Sequence, residues 1–172
     1  MKNLFTRLFI LFILAGASNL AAQNIIANYD FDGDLQGWES QSITGDSMWV
    51  WSPDGDVTNG FAANPGDIIA SPTQSNGAAV FNGDFYITQG VNNPGAPPYP
   101  QFICDLVSPR IDLSGVTGGV SVRFYQLVRH LNLATGATFR TSVSYSFDDG
   151  NTWSDPIEAN PGLNANDMEL NN

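Results

Sequence analysis

The sequence has little of the side-chain chemistry that most enzymes and disulfide-stabilised proteins require. One cysteine, Cys104, stands among 172 residues, so an internal disulfide is excluded and Cys104 is expected to be a small buried hydrophobe. One histidine, His130, excludes the zinc motifs that need a pair of histidines. No Gly-x-Ser-x-Gly nucleophile motif is present. A pair of carboxylates for glycoside hydrolysis is not excluded, because the distance between two carboxylates cannot be read from a sequence. No catalytic constellation is found.

Positive charge is also scarce. The chain has 6 basic and 17 acidic residues, a net charge of −11 at neutral pH. Lys2 and Arg7 are the basic residues of the first 23 positions, so the rest of the chain keeps four arginines and no lysine. A surface of this kind repels phosphate backbones and anionic lipids. The composition therefore argues against nucleic-acid and membrane partners, and it fits either cation binding or solubility alone.

The first 23 residues have the layout of a secretory signal peptide. Lys2 and Arg7 precede an apolar run over residues 8–15, which is too short to span a bilayer. Small residues follow, and they predict cleavage between Ala17 and Gln23. We therefore expect a secreted or cell-surface protein whose single domain covers residues 24–172.

Strand signals dominate the remainder of the chain. Glycine and proline, 17 and 10 residues respectively, separate short runs rich in β-branched and aromatic residues. This rhythm predicts an all-β, antiparallel jelly-roll sandwich. The strands are predicted over residues 24–31, 48–51, 78–81, 85–88 and 102–107, and period-two alternation predicts further strands over 120–124 and 139–147.

The stretch "SFDDGNTW", residues 146–153, matches the Asp-box pattern Ser-x-Asp-x-Gly-x-Ser/Thr-Trp. Asp148 can accept backbone N–H bonds within the turn, Gly150 can adopt a positive φ, and Trp153 can cover the turn. These roles fold a hairpin, and none requires a substrate. The pattern resembles the sialidase-type propellers, which carry several such boxes. With one box and no room for six blades of about 40 residues each, the chain is not expected to be a sialidase.

A second resemblance covers most of the chain after residue 23. The order "YDFDGDLQGWES", "MWVWSPDG", "SPTQSNGAAVFN", "LVSPRIDLSGV", "VSVRFYQ" and "VSYSFDDGNTWS" is similar to the cleaved-adhesin and MAM-like jelly-roll modules of exported bacterial proteins, which accompany type IX secretion. The resemblance implies a non-catalytic binding or adhesion module that recognises a glycan or a protein surface. The alternative is an accessory domain of a larger secreted hydrolase or peptidase. Such modules continue past the Asp-box with further strands, so we expect this chain to be a fragment or an incomplete sandwich.

The aromatic residues Trp49, Trp51 and Tyr99 are the candidate ligand-binding residues. Trp49 and Trp51 lie two positions apart, which puts them on one face of a strand, and Tyr99 belongs to a proline-rich loop. Flat aromatic faces stack well on sugar rings. The alternative is that both tryptophans belong to the hydrophobic core.

Three aspartates in "DFDGD" form the candidate metal site. Asp30, Asp32 and Asp34 could supply part of the oxygen ligands that calcium requires. The stretch is not an EF-hand, because position six from Asp30 is Leu35 and position twelve is Gln41. The alternatives are therefore a calcium ion that stabilises the domain and a solvated acidic turn.

Overall fold

The computed structural model of the chain describes residues 24–55, 68–89, 100–129, 140–161 and 169–171. The described residues are mostly strands with few helices, which agrees with the all-β prediction. Residues 1–23, which carry the predicted signal peptide, lie outside the described residues. In chain order the elements are β1 (Glu39–Thr44), β2 (Val50–Ser52), a 3₁₀ turn (Gln74–Asn76), β3 (Ala78–Val80), α1 (Gly83–Thr88), β4 (Ile103–Val107), β5 (Leu127–Arg129), β6 (Ser142–Val143), β7 (Ile157–Glu158) and β8 (Glu169–Asn171).

The strands pair into small antiparallel sheets. In the described part of the chain, β1 pairs with β4, β2 with β3, β5 with β8, and β6 with β7. The longest ladder runs from Glu39 opposite Val107 to Thr44 opposite Ile103, and its register shifts between Ser42 and Thr44. The two-stranded sheets establish the all-β class and do not by themselves establish the jelly-roll order.

The strand predicted over residues 85–88 is wrong, because this segment is the helix α1. The side-chain oxygen of Asn82 accepts a hydrogen bond from the Phe85 N–H at 3.0 Å and so caps the first turn. The helix ends at Gln89, which adopts a left-handed conformation with φ 52°. The strand-favouring residues of the segment are thus overridden by a local cap.

Two other predicted strands are not strands in the structure. Residues 24–31 are irregular, and Phe31 closes them with a positive φ of 56°, which an extended strand does not accommodate. Residues 120–124 are exposed and belong to no described sheet, with Val122 75% exposed. Conversely, β1 was not predicted, since its sequence "ESQSIT" lacks an alternating apolar pattern.

Aromatic rings supply most of the packing in the first half of the fold. The Trp49 and Phe81 ring centroids are 5.6 Å apart, and the Tyr86 ring lies 5.6 Å from Phe81 and 5.4 Å from Phe102. The Tyr86 hydroxyl also accepts from the Met48 N–H at 2.9 Å, which fixes α1 against the chain before β2. Among the described residues, Ala78 of β3 is the buried hydrophobic side chain, at 8% exposure.

Gly77 lies where the start of β3 comes close to Trp51 and Ser52 of β2. It precedes β3, has φ 110°, and is buried. A methyl group at this position would lie 2.5 Å from the Trp51 indole nitrogen and 2.7 Å from the Ser52 carbonyl oxygen. Because these contacts are shorter than van der Waals separations, a side chain here would displace Trp51.

We expect Gly77→Ala to lower the free energy of unfolding by about 2–4 kcal/mol, through backbone strain together with steric overlap. Gly119→Ala is the matched control, because a methyl group there meets nothing within 4 Å. The control should change stability by less than about 0.5 kcal/mol. Urea unfolding of both variants measures the difference, and equal stabilities would contradict the close approach at Gly77.

Candidate functional site

The two tryptophans predicted to bind a ligand are held by backbone carbonyl groups. The Trp49 indole N–H donates to the Cys104 carbonyl at 3.0 Å, and the Trp51 indole N–H donates to the Phe31 carbonyl at 2.7 Å. Both side chains are half-buried. Their polar atoms are therefore occupied within the fold, which favours the core alternative for this pair. Tyr99, the third member of the predicted platform, lies outside the described residues.

The acidic turn is held by amide side chains. The Gln36 side-chain nitrogen donates to one Asp30 carboxylate oxygen at 2.7 Å, and the Asn76 side-chain nitrogen donates to the other at 3.0 Å. The Gln36 side-chain oxygen in turn accepts from the N–H groups of Asp30 and Phe31 at 3.0 and 2.9 Å. The hydrogen bond from Gln36 is the main cause that holds the pKa of Asp30 below its ordinary value. Asp30 thus joins the turn to the segment before β3.

The three aspartates of this turn have different environments. Asp32 and Asp34 are exposed, and Asp34 accepts from the Gln36 N–H at 2.6 Å. Within residues 24–55, 68–89, 100–129, 140–161 and 169–171, no group of three or more His, Cys, Asp or Glu side chains is arranged to hold a metal ion. The arrangement therefore does not present Asp30, Asp32 and Asp34 as a ready set of calcium ligands, and calcium binding stays a prediction.

The Asp-box forms a closed network of hydrogen bonds. One Asp148 carboxylate oxygen accepts from the Thr152 N–H and the Ser146 hydroxyl, both at 2.8 Å, and the other accepts from the Thr152 hydroxyl at 2.6 Å. The Ser146 hydroxyl oxygen accepts from the Gly150 N–H at 2.8 Å. Gly150 has φ 79°, as the turn requires. The bonds from the Thr152 side chain and backbone are the leading causes that lower the pKa of Asp148.

Trp153 covers this turn from one side. A methyl group at Gly150 would lie 3.5 Å from the Trp153 ring, so the indole is in van der Waals range of the glycine. After Trp153 the chain rejoins the incoming strand, because the Ser154 N–H donates to the Tyr145 carbonyl at 2.9 Å. Half of the Trp153 surface nevertheless remains exposed, at 50%. The turn is thus rigid and presents aromatic surface.

An ion pair joins the Asp-box to the segment "SPRIDLS". The Arg110 guanidinium Nε lies 3.1 Å from an Asp149 carboxylate oxygen, and both side chains are largely exposed. The same segment carries its own turn, in which Asp112 accepts from the Ser114 N–H at 2.8 Å, and this bond is the main cause that lowers the pKa of Asp112. The two motifs that carry the family resemblance therefore contact each other, although a solvent-exposed ion pair adds little stability.

The most exposed aromatic residues of the hairpin were not among the predicted site residues. Phe147 is 84% exposed and Tyr145 is 52% exposed, and their ring centroids are 5.3 Å apart at an interplanar angle of 60°. The period-two pattern predicts a strand over residues 139–147, but in the described part of the chain β6 is Ser142–Val143, so Tyr145 and Phe147 lie beyond its end. Exposure could not be read from that pattern, because it depends on what packs against the face.

Comparisons with protein-family models, with curated proteins and with solved structures found no match to this chain. The resemblance to the cleaved-adhesin and MAM-like modules therefore stays a prediction. In the part of the chain that the structure describes, no helix is long and apolar enough to cross a membrane.

The hydrogen bonds of Asp148 predict a pH-dependent turn. Because the folded pKa lies below the ordinary value of 3.8, the carboxylate contributes to stability fully above that value and loses its contribution as the pH falls through the folded pKa. In an acid titration followed by NMR, the Thr152 amide shift should report a midpoint below 3.8.

Asp148→Ala should abolish this titration and should speed hydrogen exchange at the Thr152 amide, which loses its acceptor. Asp149→Asn is the matched control, because the Asp149 carboxylate contacts Arg110 and not the Thr152 amide, and asparagine tolerates the φ of 59° at this position. Equal exchange rates at Thr152 in both variants would contradict the role of Asp148.

Proposed function

We propose that the chain is a non-catalytic extracellular binding or adhesion module that recognises a glycan or a protein surface. In this proposal residues 1–23 direct export, and the small antiparallel sheets belong to a jelly-roll sandwich of the cleaved-adhesin and MAM-like type. Binding is passive, since a rigid β-fold presents exposed side chains to a target without chemical change.

The observation that carries the proposal is the exposed aromatic surface on the Asp-box hairpin. Phe147 and Tyr145 are largely exposed next to a turn whose conformation is fixed by the carboxylate of Asp148. Large aromatic side chains on rigid supports are the residues that contribute most to recognition, because they bury a large area at a small cost in conformational entropy. Exposed apolar side chains that form a contiguous patch, as the adjoining Tyr145 and Phe147 rings do, are typical of an interaction site.

Charge supports the same class of function. The net charge of −11 disfavours nucleic acid and anionic membranes as targets. It leaves neutral glycans, and proteins that carry basic residues, as compatible targets.

The proposal predicts binding that depends on the hairpin. The chain should bind members of a glycan array or of an array of extracellular proteins, and the double variant Tyr145→Ser, Phe147→Ser should lose at least about tenfold in affinity. The double variant Trp49→Ala, Trp51→Ala tests the tryptophan site in parallel. Loss of binding in that variant with an intact fold would return the site to the tryptophans, whereas turnover of a glycoside or peptide substrate by the chain would contradict a non-catalytic module.

Calcium stabilisation of the acidic turn is tested separately. An ion that binds only the folded state raises the unfolding midpoint by mass action. If the turn holds calcium, the midpoint should be higher with calcium than with a chelator, and Asp32→Ala with Asp34→Ala should remove the difference. Equal midpoints would mean a solvated turn fixed by Gln36 and Asn76.

A further inference from the structure

The return strand of the Asp-box hairpin extends the exposed aromatic pair into an apolar face. Val143 of β6 lies directly opposite Ile157 of β7, so both side chains point to the same side of the hairpin. Ile157 is 58% exposed. Beyond Val143 the two arms of the hairpin stay together, because the Ser154 N–H donates to the Tyr145 carbonyl, and the Tyr145 and Phe147 rings lie 5.3 Å apart. We call these four residues, Val143, Tyr145, Phe147 and Ile157, the hairpin face.

The hairpin face is preorganised. Its strands are joined by the β6–β7 pairing, by the Ala159 N–H bond to the Thr141 carbonyl at 2.8 Å, and by the Tyr145 N–H bond to the Ser154 hydroxyl at 3.1 Å. At the far end the Asp148 network holds the turn. A partner that docks here therefore does not have to order the hairpin, which removes one of the main costs of association.

The composition of the face fits a protein better than a sugar. The Tyr145 and Phe147 rings are inclined by 60°, so they do not form one flat platform on which a sugar ring could stack. Phe147, the most exposed of the four, has no polar atom to meet a hydroxyl group. Aromatic and aliphatic side chains without charge are instead typical of the centre of a protein–protein interface.

The charges near the hairpin face indicate which kind of protein surface could bind there. The hairpin residues 140–161 carry one basic residue, Arg140, and four acidic residues, Asp148, Asp149, Asp155 and Glu158. Asp149 is paired with Arg110, whereas Asp155 is exposed just before β7. Glu158 follows Ile157 in β7 and pairs with Ser142, so its side chain points to the other side of the hairpin. A second copy of the chain would bring another net charge of −11 to the interface, which opposes self-association. An apolar surface rimmed by lysine or arginine complements both features.

We propose that the hairpin face docks a protein surface with an apolar centre and a basic rim. This inference rests on the proposed binding function and names its partner class and its site. The exposed aromatics contact the apolar centre, and Asp155 attracts the basic residues at the rim.

The experiment uses a matched pair of strand peptides as probes. One peptide, about six residues long, alternates lysine with valine and phenylalanine, and the other carries glutamate at each lysine position. We expect the lysine peptide to bind the chain and the glutamate peptide to bind at least about tenfold more weakly. Raising sodium chloride from about 50 to about 500 mM should weaken binding of the lysine peptide, since salt screens exposed charges.

Matched variants separate the two contributions. Phe147→Ser should lower the affinity for the lysine peptide at least about tenfold, whereas Ile25→Ser, which removes a side chain that is 78% exposed elsewhere, should leave it unchanged. Asp155→Asn should weaken binding and reduce its salt dependence, and Asp46→Asn, at another exposed acid, should do neither. Hydrogen exchange at the Thr152 amide verifies that each variant keeps the turn.

The other outcomes overturn the inference in distinguishable ways. Glycan-array binding that is lost in Phe147→Ser would make the target a glycan and would leave the proposed function standing. A concentration-dependent dimer in sedimentation velocity that is lost in Phe147→Ser would make the occupant a second copy. Equal affinity for both peptides, or no binding of either, rejects the docking site, and the proposed function fails as well only if the glycan and extracellular-protein arrays are also negative.

Discussion

Two indole N–H groups hold the first half of the fold together. Trp49 reaches the carbonyl of Cys104 on β4, and Trp51 reaches the carbonyl of Phe31 in the acidic turn. Since Trp49 directly precedes β2 and Trp51 lies within it, these two bonds connect the β1–β4 sheet, the β2–β3 sheet and the turn. A buried donor that loses its acceptor costs about 1–3 kcal/mol, and for these half-buried indoles the cost is smaller because water can replace the carbonyl. The requirement for glycine at position 77 follows directly from the position of the Trp51 ring.

Carboxylates take a structural role that composition alone does not suggest. A strongly acidic chain looks like a protein with a freely solvated surface, yet Asp30 and Asp148 each bind several donors of their own neighbourhood. Both turns use the same physical device, in which an ionised oxygen satisfies backbone or side-chain N–H groups that a tight reversal would leave without partners. With few buried hydrophobic side chains among the described residues, such polar turns fix where the strands begin and end.

The sequence predicts local features of this fold better than distant ones. The Asp-box turn is closed by residues within eight consecutive positions, so its hydrogen bonds follow from the motif itself. The helix α1 was missed because its residues favour strands, and the deciding bond comes from the side chain of Asn82. The all-β class follows from composition, whereas the pairing of β1 with β4 joins segments some 60 positions apart and has no local signature.

In the candidate site, too, the sequence predicts local features but not contacts between distant parts of the chain. Two tryptophans at alternate positions predict a shared face, but the carbonyl groups that engage them belong to Phe31 and Cys104, far away in the chain. For Tyr145 and Phe147 the alternation predicts a shared side, and their rings do lie 5.3 Å apart. The alternation does not show whether another part of the chain covers that side. Pairing of Arg110 with Asp149 could not be predicted either, because an exposed ion pair depends on how two loops meet.

The Asp-box also bears on the chemical ageing of the chain. Asp149 and Gly150 form an Asp-Gly dipeptide, which can cyclise to a succinimide by attack of the glycine nitrogen on the aspartate side chain. In this turn the Gly150 N–H donates to the Ser146 hydroxyl, and the Asp149 carboxylate pairs with Arg110. The glycine nitrogen is thereby directed toward the serine, and the aspartate side chain is directed toward the arginine. The contacts that shape the hairpin therefore hold the two reacting groups of this dipeptide toward other partners, which disfavours its isomerisation.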